Sequence, residues 1–286
     1  MDHLNDPDID GDVYVSPRYL AGTTGIGDPA LAPLLGLGWD LRHDDLGNVY
    51  TNSPNRRVRL GYLPEGEDDG LWRINAYRDP FGPPAWGVCF NKATPTEFVT
   101  AFTTALATAY EARDAYLARP FPGIAERDPI RIVDPLLQQG WTLDRPYLGV
   151  YLVDAPDRHA GLEYTGGNLD PEGELTTRDA RWQLWAGRSI DKPAWYATAS
   201  TYTPVALLAA VTRCVADPAP LPRWREDTFS YVAGMAQLTP VRAPLPPAPS
   251  PLDVRRAAAR RPAALPPASV PRWSTSTRPA LPRPRR

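Results

Sequence analysis

No stretch of this sequence approaches the roughly 18 consecutive apolar residues that cross a bilayer, which excludes a helical membrane protein. The opening residues Met1-Asp2-His3-Leu4-Asn5-Asp6 are acidic and carry no apolar run, so no secretory leader is expected there. Cysteine is scarce: Cys89 and Cys214 stand alone, too few for a disulfide framework, and a reducing cytoplasm is the expected setting. Histidine is scarcer for chemistry than its count suggests. His3, His43 and His159 fall in a leader and two turns, so they make neither a metal set nor a triad. Gly22-Thr23-Thr24-Gly25-Ile26-Gly27 has glycines, but no strand leads in and no lysine follows, so it does not cradle a phosphate. Asp6-Pro7-Asp8-Ile9-Asp10-Gly11 begins like a calcium loop, yet Pro17 stands where the bidentate glutamate is needed. No catalytic residue, metal or cofactor is implied.

What is present is a duplication. Pro33-Leu34-Leu35-Gly36-Leu37-Gly38-Trp39 returns as Pro135-Leu136-Leu137-Gln138-Gln139-Gly140-Trp141, 102 residues later. Pro54/Pro156, Arg56/Arg158, Leu60/Leu162 and Tyr62/Tyr164 keep that shift. Trp72/Trp182, Pro84-Ala85-Trp86/Pro193-Ala194-Trp195 and Thr94-Pro95/Thr203-Pro204 follow in the same order at a slightly larger shift. The second copy therefore carries a longer loop between Tyr164 and Trp182. A tandem repeat of this kind is one structural unit written twice.

The periodicity predicts an α+β fold. Each copy reads as a short helix, an antiparallel sheet of about five strands and a long C-terminal helix, with the helices covering one sheet face. The domains are a leader over 1–12, a first repeat over 13–118, a second over 124–217, a short amphipathic helix over 224–238 and a tail over 240–286. Strands are expected at 39–42, 49–52, 58–63, 71–77 and 85–90, then at 141–143, 148–153, 161–164, 181–186 and 194–200. Pro33 is expected in the first turn of the short helix, with Asp134 as the N-cap of its second copy. Thr94-Pro95-Thr96-Glu97 reads as a capping box on a helix running to about residue 117. The copies are expected to pack about a pseudo-twofold axis.

Six duplicated tryptophans, Trp39, Trp72, Trp86, Trp141, Trp182 and Trp195, read as core rather than as stacking platforms, because packing must survive in both halves. Arg56 and Arg158 are the one duplicated charged pair, placed either to bracket an anion or to cap a strand end. The acidic pairs Asp44-Asp45 and Asp68-Asp69 read as solvated charge.

The overall charge of −2 hides a split. Residues 240–286 hold ten arginines, no lysine and the single acid Asp253 among 13 prolines, which leaves the remainder acidic. Such a composition cannot bury enough apolar surface to order itself, so a disordered tail is expected. Arg255, Arg256, Arg260, Arg261, Arg283, Arg285 and Arg286 are candidate anion contacts there, since the planar guanidinium fork suits phosphate. Segment 244–251 also suits a proline-recognition domain.

Taken together, Val13-Tyr14-Val15-Ser16-Pro17-Arg18-Tyr19-Leu20-Ala21-Gly22, the Gly-Trp step, Ser53-Pro54-Asn55-Arg56, Pro84-Ala85-Trp86 and Thr94-Pro95 resemble the actinomycete family called domain of unknown function 317. The resemblance spans about residues 13–217 and implies two tandem copies. Family members often read Ser-Pro-Asp-Arg at the turn, where this chain has Asn55 in one copy and Ala155-Pro156-Asp157-Arg158 in the other. It brings no reaction and no catalytic residue. The expected function is a non-catalytic interaction module or scaffold with a protein partner. The alternatives are weak nucleic-acid binding by the arginine tail, or a ligand-binding protein or enzyme with an unrecognised site, for which a deep polar pocket would speak.

Overall fold

The structure, a computed structural model, describes residues 12–66, 69–112, 128–225 and 234–241. In chain order its elements are β1 (Asp12–Ser16), α1 (Asp28–Leu35), β2 (Asp40–His43), β3 (Val49–Asn52), β4 (Val58–Tyr62), β5 (Trp72–Tyr77), β6 (Pro84–Phe90) and α2 (Thr96–Glu111). The second copy supplies α3 (Ile130–Leu137), β7 (Thr142–Asp144), β8 (Tyr151–Asp154), β9 (Ala160–Tyr164), α4 (Gly173–Thr176), β10 (Trp182–Ser189), β11 (Lys192–Ala199) and α5 (Val205–Ala216). Strands β12 (Leu221–Trp224) and β13 (Gln237–Pro240) close the described chain.

Five strands per copy pair antiparallel in sequence order, as short strands joined by turns should. The copies then join edge to edge. β6 pairs with β11, giving one ten-stranded sheet in the order β2-β3-β4-β5-β6-β11-β10-β9-β8-β7. The expectation that each copy would bury the other's sheet surface therefore takes a different form: what each covers is an edge, whose unpaired backbone groups would otherwise template aggregation. A local twofold axis runs through the junction.

Alternation decides which face is inside. Val58 and Leu60 of β4, Trp72, Ile74 and Ala76 of β5, and Val88 and Phe90 of β6 are buried on one face. The helices lie there, α1 on α2, α3 on α5 and α2 on α5. All six duplicated tryptophans are buried. Tyr62 packs on Trp72 and Tyr164 on Trp182 with the same 4.6 Å centroid separation. Phe98 of α2 reaches across the junction to Trp195, 5.3 Å away.

The copies differ at their ends. Trp39 is packed edge-on by Tyr110 from the last turn of α2. α5 stops at Ala216 and has no such turn, and Tyr19 takes that place against Trp141. Tyr19 belongs to the segment following β1, which was expected to open the first copy. It docks on the second copy instead: β1 is the middle strand of a three-stranded sheet with β12 and β13, and Trp195 Nε1 donates to Tyr19 O at 2.7 Å. Arg18 donates to the carbonyls of Cys214 and Ala219 and pairs with Asp217 at 3.0 Å. Arg223 of β12 ties this arm to the first copy, donating to Gly22 O and both carboxylate oxygens of Glu97.

Three local expectations are corrected by these contacts. Helix α1 begins at Asp28, so Pro33 lies inside it, and Pro135 and Asp134 lie inside α3. A proline is tolerated there because the carbonyl it deprives belongs to the first turn of a short helix. Asp128 accepts from the Ile130 amide in place of Asp134. The capping box on α2 does not form: the Thr94 hydroxyl donates to Asn91 Oδ1 and Tyr196 O, and Glu97 is held by Arg223. Tertiary partners outbid the local cap. The helix expected over 224–238 is extended at both described ends, in β12 and β13; residues 226–233 lie outside the described residues, as do the end of the long helix beyond 112 and the tail from 242. Among the described residues, no helix is long and apolar enough to cross a membrane.

Candidate functional site

The β3–β4 and β8–β9 hairpins turn in the same way. Arg56 N donates to Ser53 O and Arg158 N to Ala155 O, at 2.8 and 2.9 Å. The fourth residue of each turn must then adopt a left-handed backbone, and Arg56 and Arg158 do so with φ of 57° and 60°. Glycine is the residue that ordinarily accepts this conformation. Both arginines are exposed. They do not bracket one anion. Strand direction alternates along an antiparallel sheet, so the β3–β4 turn lies at one end of the ten strands and the β8–β9 turn at the other.

A second duplicated pair escaped the sequence reading, although its signal was in plain view. Leu46-Gly47 and Leu148-Gly149 stand 102 residues apart, the same shift as the tryptophans. Leu148 was expected in a strand, but β8 starts at Tyr151, and both leucines crown the turns of edge hairpins β2–β3 and β7–β8. Leu46 is 69% exposed and Leu148 fully exposed, with Tyr147 beside it at 76%. Asp44, read as solvated, organises the first of these tips: it accepts from the amides of Leu46 and Asn48 and from Asn48 Nδ2, bonds that hold its carboxyl below the usual range.

The longer loop of the second copy, residues 165–181, folds as a flap at the end of β9 and β10 and over the sheet face opposite the helices. Its base is closed by Thr165 N to Arg181 O at 3.0 Å. Gly166 abuts Gly149 so closely that a Cβ would sit 2.4 Å from the Gly149 carbonyl oxygen, which demands glycine there. Arg178 from the flap pairs with Asp69 of the first copy at 3.2 Å and lies 3.9 Å over the Tyr196 ring. The Tyr196 hydroxyl donates to Asp69 as well, and burial together with that carboxylate pushes its phenol upward. Asp69 is thus a latch, not free surface charge.

Two polar cavities lie beside the flap. One, of about 240 Å³, is lined by Asn75, Cys89, Tyr196 and Thr198 from the sheet and Thr177 and Arg178 from the flap. The other, of about 370 Å³, is lined by Arg181, Glu174, Tyr164, Trp182, Thr201 and Tyr202. Arg181 and Glu174 are 7% and 6% exposed, and sequence reasoning singled out neither because they have no counterpart in the first copy. Glu174 Oε1 accepts from Arg181 N, Thr201 N and Thr201 Oγ1, at 3.0, 3.0 and 2.8 Å. Arg181 Nε donates to Thr201 Oγ1 at 3.0 Å, Nη1 to Thr165 O and Nη2 to Gly167 O. The Thr201 hydroxyl therefore bridges a buried cation and a buried anion. Cys214 is held between Arg18 and α2, where burial pushes its thiol pKa up. Among the described residues no group of three histidine, cysteine or acidic side chains is placed to hold a metal ion. The tail arginines 255, 256, 260, 261, 283, 285 and 286 lie outside the described residues.

No curated protein and no solved structure matches this chain. Two segments, 52–112 and 154–221, match the family model described as domain of unknown function (DUF317). Their limits correspond: each begins at the last residue of a hairpin's first strand, Asn52 or Asp154, and runs through three strands to just past the long helix. These are the two segments that meet at the β6–β11 junction, and the chain carries two tandem segments similar to the DUF317 domain.

Proposed function

We propose that this protein is a non-catalytic interaction module, a rigid sheet that offers two equivalent sets of exposed side chains to a protein partner. The observation that carries this reading is the duplicated exposed leucine at the hairpin tips, Leu46 and Leu148. A buried residue repeated in both copies is explained by packing. A leucine that remains in water in both copies is not, and an apolar side chain offered by a turn is a natural anchor for a partner. Arg56 and Arg158, in the turns at the other ends of β3 and β8, add a second exposed, duplicated group. Because the axis places each set at opposite ends of the sheet, the module engages a partner at two points, and linking them raises avidity without new contacts.

The test is affinity capture from lysate of the source cell by the intact chain and by Leu46→Glu, Leu148→Glu and the double variant, with thermal melts to show that all are folded. One protein bound by the intact chain, weakened by each single change and lost in the double variant, supports the reading. Undiminished capture by a folded double variant overturns it.

A second reading, a small-ligand binding protein, is supported by the polar cavity beside Arg181 and Glu174.

A further inference from the structure

The 370 Å³ cavity holds two buried charges with bonding capacity left over. We infer that it is a binding site for a small zwitterion, a free amino acid, with Arg181 taking the carboxylate and Glu174 the ammonium. The inference rests on the ligand-binding reading and is independent of the hairpin tips.

Three observations converge. Burying an ion is costly unless it is paired and fully bonded. Among the described residues Arg181 makes no ion pair: its guanidinium lies 5.6 Å from the Tyr164 ring centre and donates three hydrogen bonds, all to neutral oxygens, which leaves one N–H on each of Nη1 and Nη2 unspent. Among the described residues Glu174 takes all three of its donors on Oε1 and none on Oε2, although the residue is more than nine-tenths buried. Both side chains line the same cavity. The third observation is position: Thr203 and Val205, at the N-terminus of α5, line the cavity as well, and the positive end of a twelve-residue helix favours a carboxylate near it.

The charges also select the ligand class. With one fixed cation and one fixed anion, a simple anion would face Glu174 and a simple cation would face Arg181. A dipolar molecule satisfies both. The Thr201 hydroxyl bonds both side chains, at 3.0 Å to Arg181 Nε and 2.8 Å to Glu174 Oε1, so the two charges are near enough for one small dipolar molecule to meet both. Tyr164, Trp182 and Tyr202 supply apolar wall for the side chain, and the volume suits a molecule of that size.

Thermal melting and calorimetric titration of the intact chain with each of the twenty free L-amino acids test this. At least one should raise the melting midpoint by several degrees, as a ligand well above its Kd does. The methyl ester and the N-acetyl derivative of that amino acid each lack one charge and should bind at least tenfold more weakly. Glu174→Gln can keep an acceptor oxygen on the donors that organise the flap and puts an uncharged NH2 in place of Oε2, so it should fold, retain the flap and lose the amino acid by a similar factor. Arg181→Met is the companion variant. The inference is overturned if none of the twenty binds, if the two blocked derivatives bind as well as their parent, or if folded Glu174→Gln binds undiminished. None of these outcomes touches the partner-capture experiment, so the two readings fail separately.

Discussion

Cys89 and Thr198 face each other across β6 and β11, and each occupies in its own copy the place the other holds in its copy. On either side Val88 pairs with Ala199 and Phe90 with Ala197, and these too exchange under the duplication. The register is therefore symmetric about the Cys89–Thr198 pair, which places the local twofold axis of the junction there. On one side of the sheet the axis emerges between α2 and α5; on the other it emerges in the cavity beneath the flap, which only the second copy possesses. Duplication built the scaffold, and an insertion broke its symmetry at the axis itself.

Trp39→Ala and Trp141→Ala should each cost about 3–5 kcal/mol, the range for truncating a buried large aromatic. Both indoles are at most 5% exposed, and each is met edge-on by a tyrosine. Urea unfolding measures the loss. A change under about 1 kcal/mol would show that neither residue anchors its copy.

Arg56→Gly and Arg158→Gly should stabilise the chain by about 0.5–1 kcal/mol each, since glycine removes the left-handed strain at φ 57° and 60°. Stability gained together with partner affinity lost would identify the arginines as functional. Stability lost would mean that the side chains support the turns.

The arm-locking pair offers a third measurement. Arg223 is nearly buried, with a side chain 2% exposed, and Glu97 is about one-third exposed. Arg223→Met should cost about 3 kcal/mol, the lower part of the range for breaking a buried pair, because the stranded Glu97 can still hydrate. Glu97→Gln should cost less. Equal and negligible losses in urea unfolding would mean that the arm is held by β-pairing alone.

Glu163 gives the pH dependence. Burial on the sheet raises its carboxyl above the ordinary 4.5. A carboxyl raised in the folded state contributes fully below its unfolded pKa and loses that contribution as pH rises through the folded value. Glu163→Gln should therefore melt higher than the parent at about pH 7 and no higher at about pH 4. The opposite order would place a stabilising cation beside it.

Much of the fold was legible in the residues. The ten strands of the large sheet fall close to the positions that alternation and turn residues indicate, because each hairpin is a local object. Leu60 buried between exposed Arg59 and half-buried Gly61 is that pattern in one strand. The long-range features were not legible. Nothing local in Val13-Tyr14-Val15 tells that its partners lie beyond residue 220, and Thr94 and Glu97 carry a sound capping pattern that Tyr196 and Arg223 divert from across the molecule. The flap pair was invisible for a related reason. Glu174 sits in a stretch that reads as acidic loop and Arg181 at the start of an expected strand, and only the approach of Thr201 makes them a site.

The central claim is that the two copies form one sheet and hold each other folded. Expression of residues 12–112 and 128–241 separately and together tests it, with size exclusion and thermal unfolding as the readouts. The first half alone would expose the β6 edge, and the second would expose the β11 edge and lack β1 between β12 and β13. Each alone should aggregate or melt without a cooperative transition, while the mixture, bringing all three together, should recover a complex that unfolds in one step. If each half alone is a soluble monomer that unfolds cooperatively and is as stable as the whole chain, the shared sheet is not what holds this protein together.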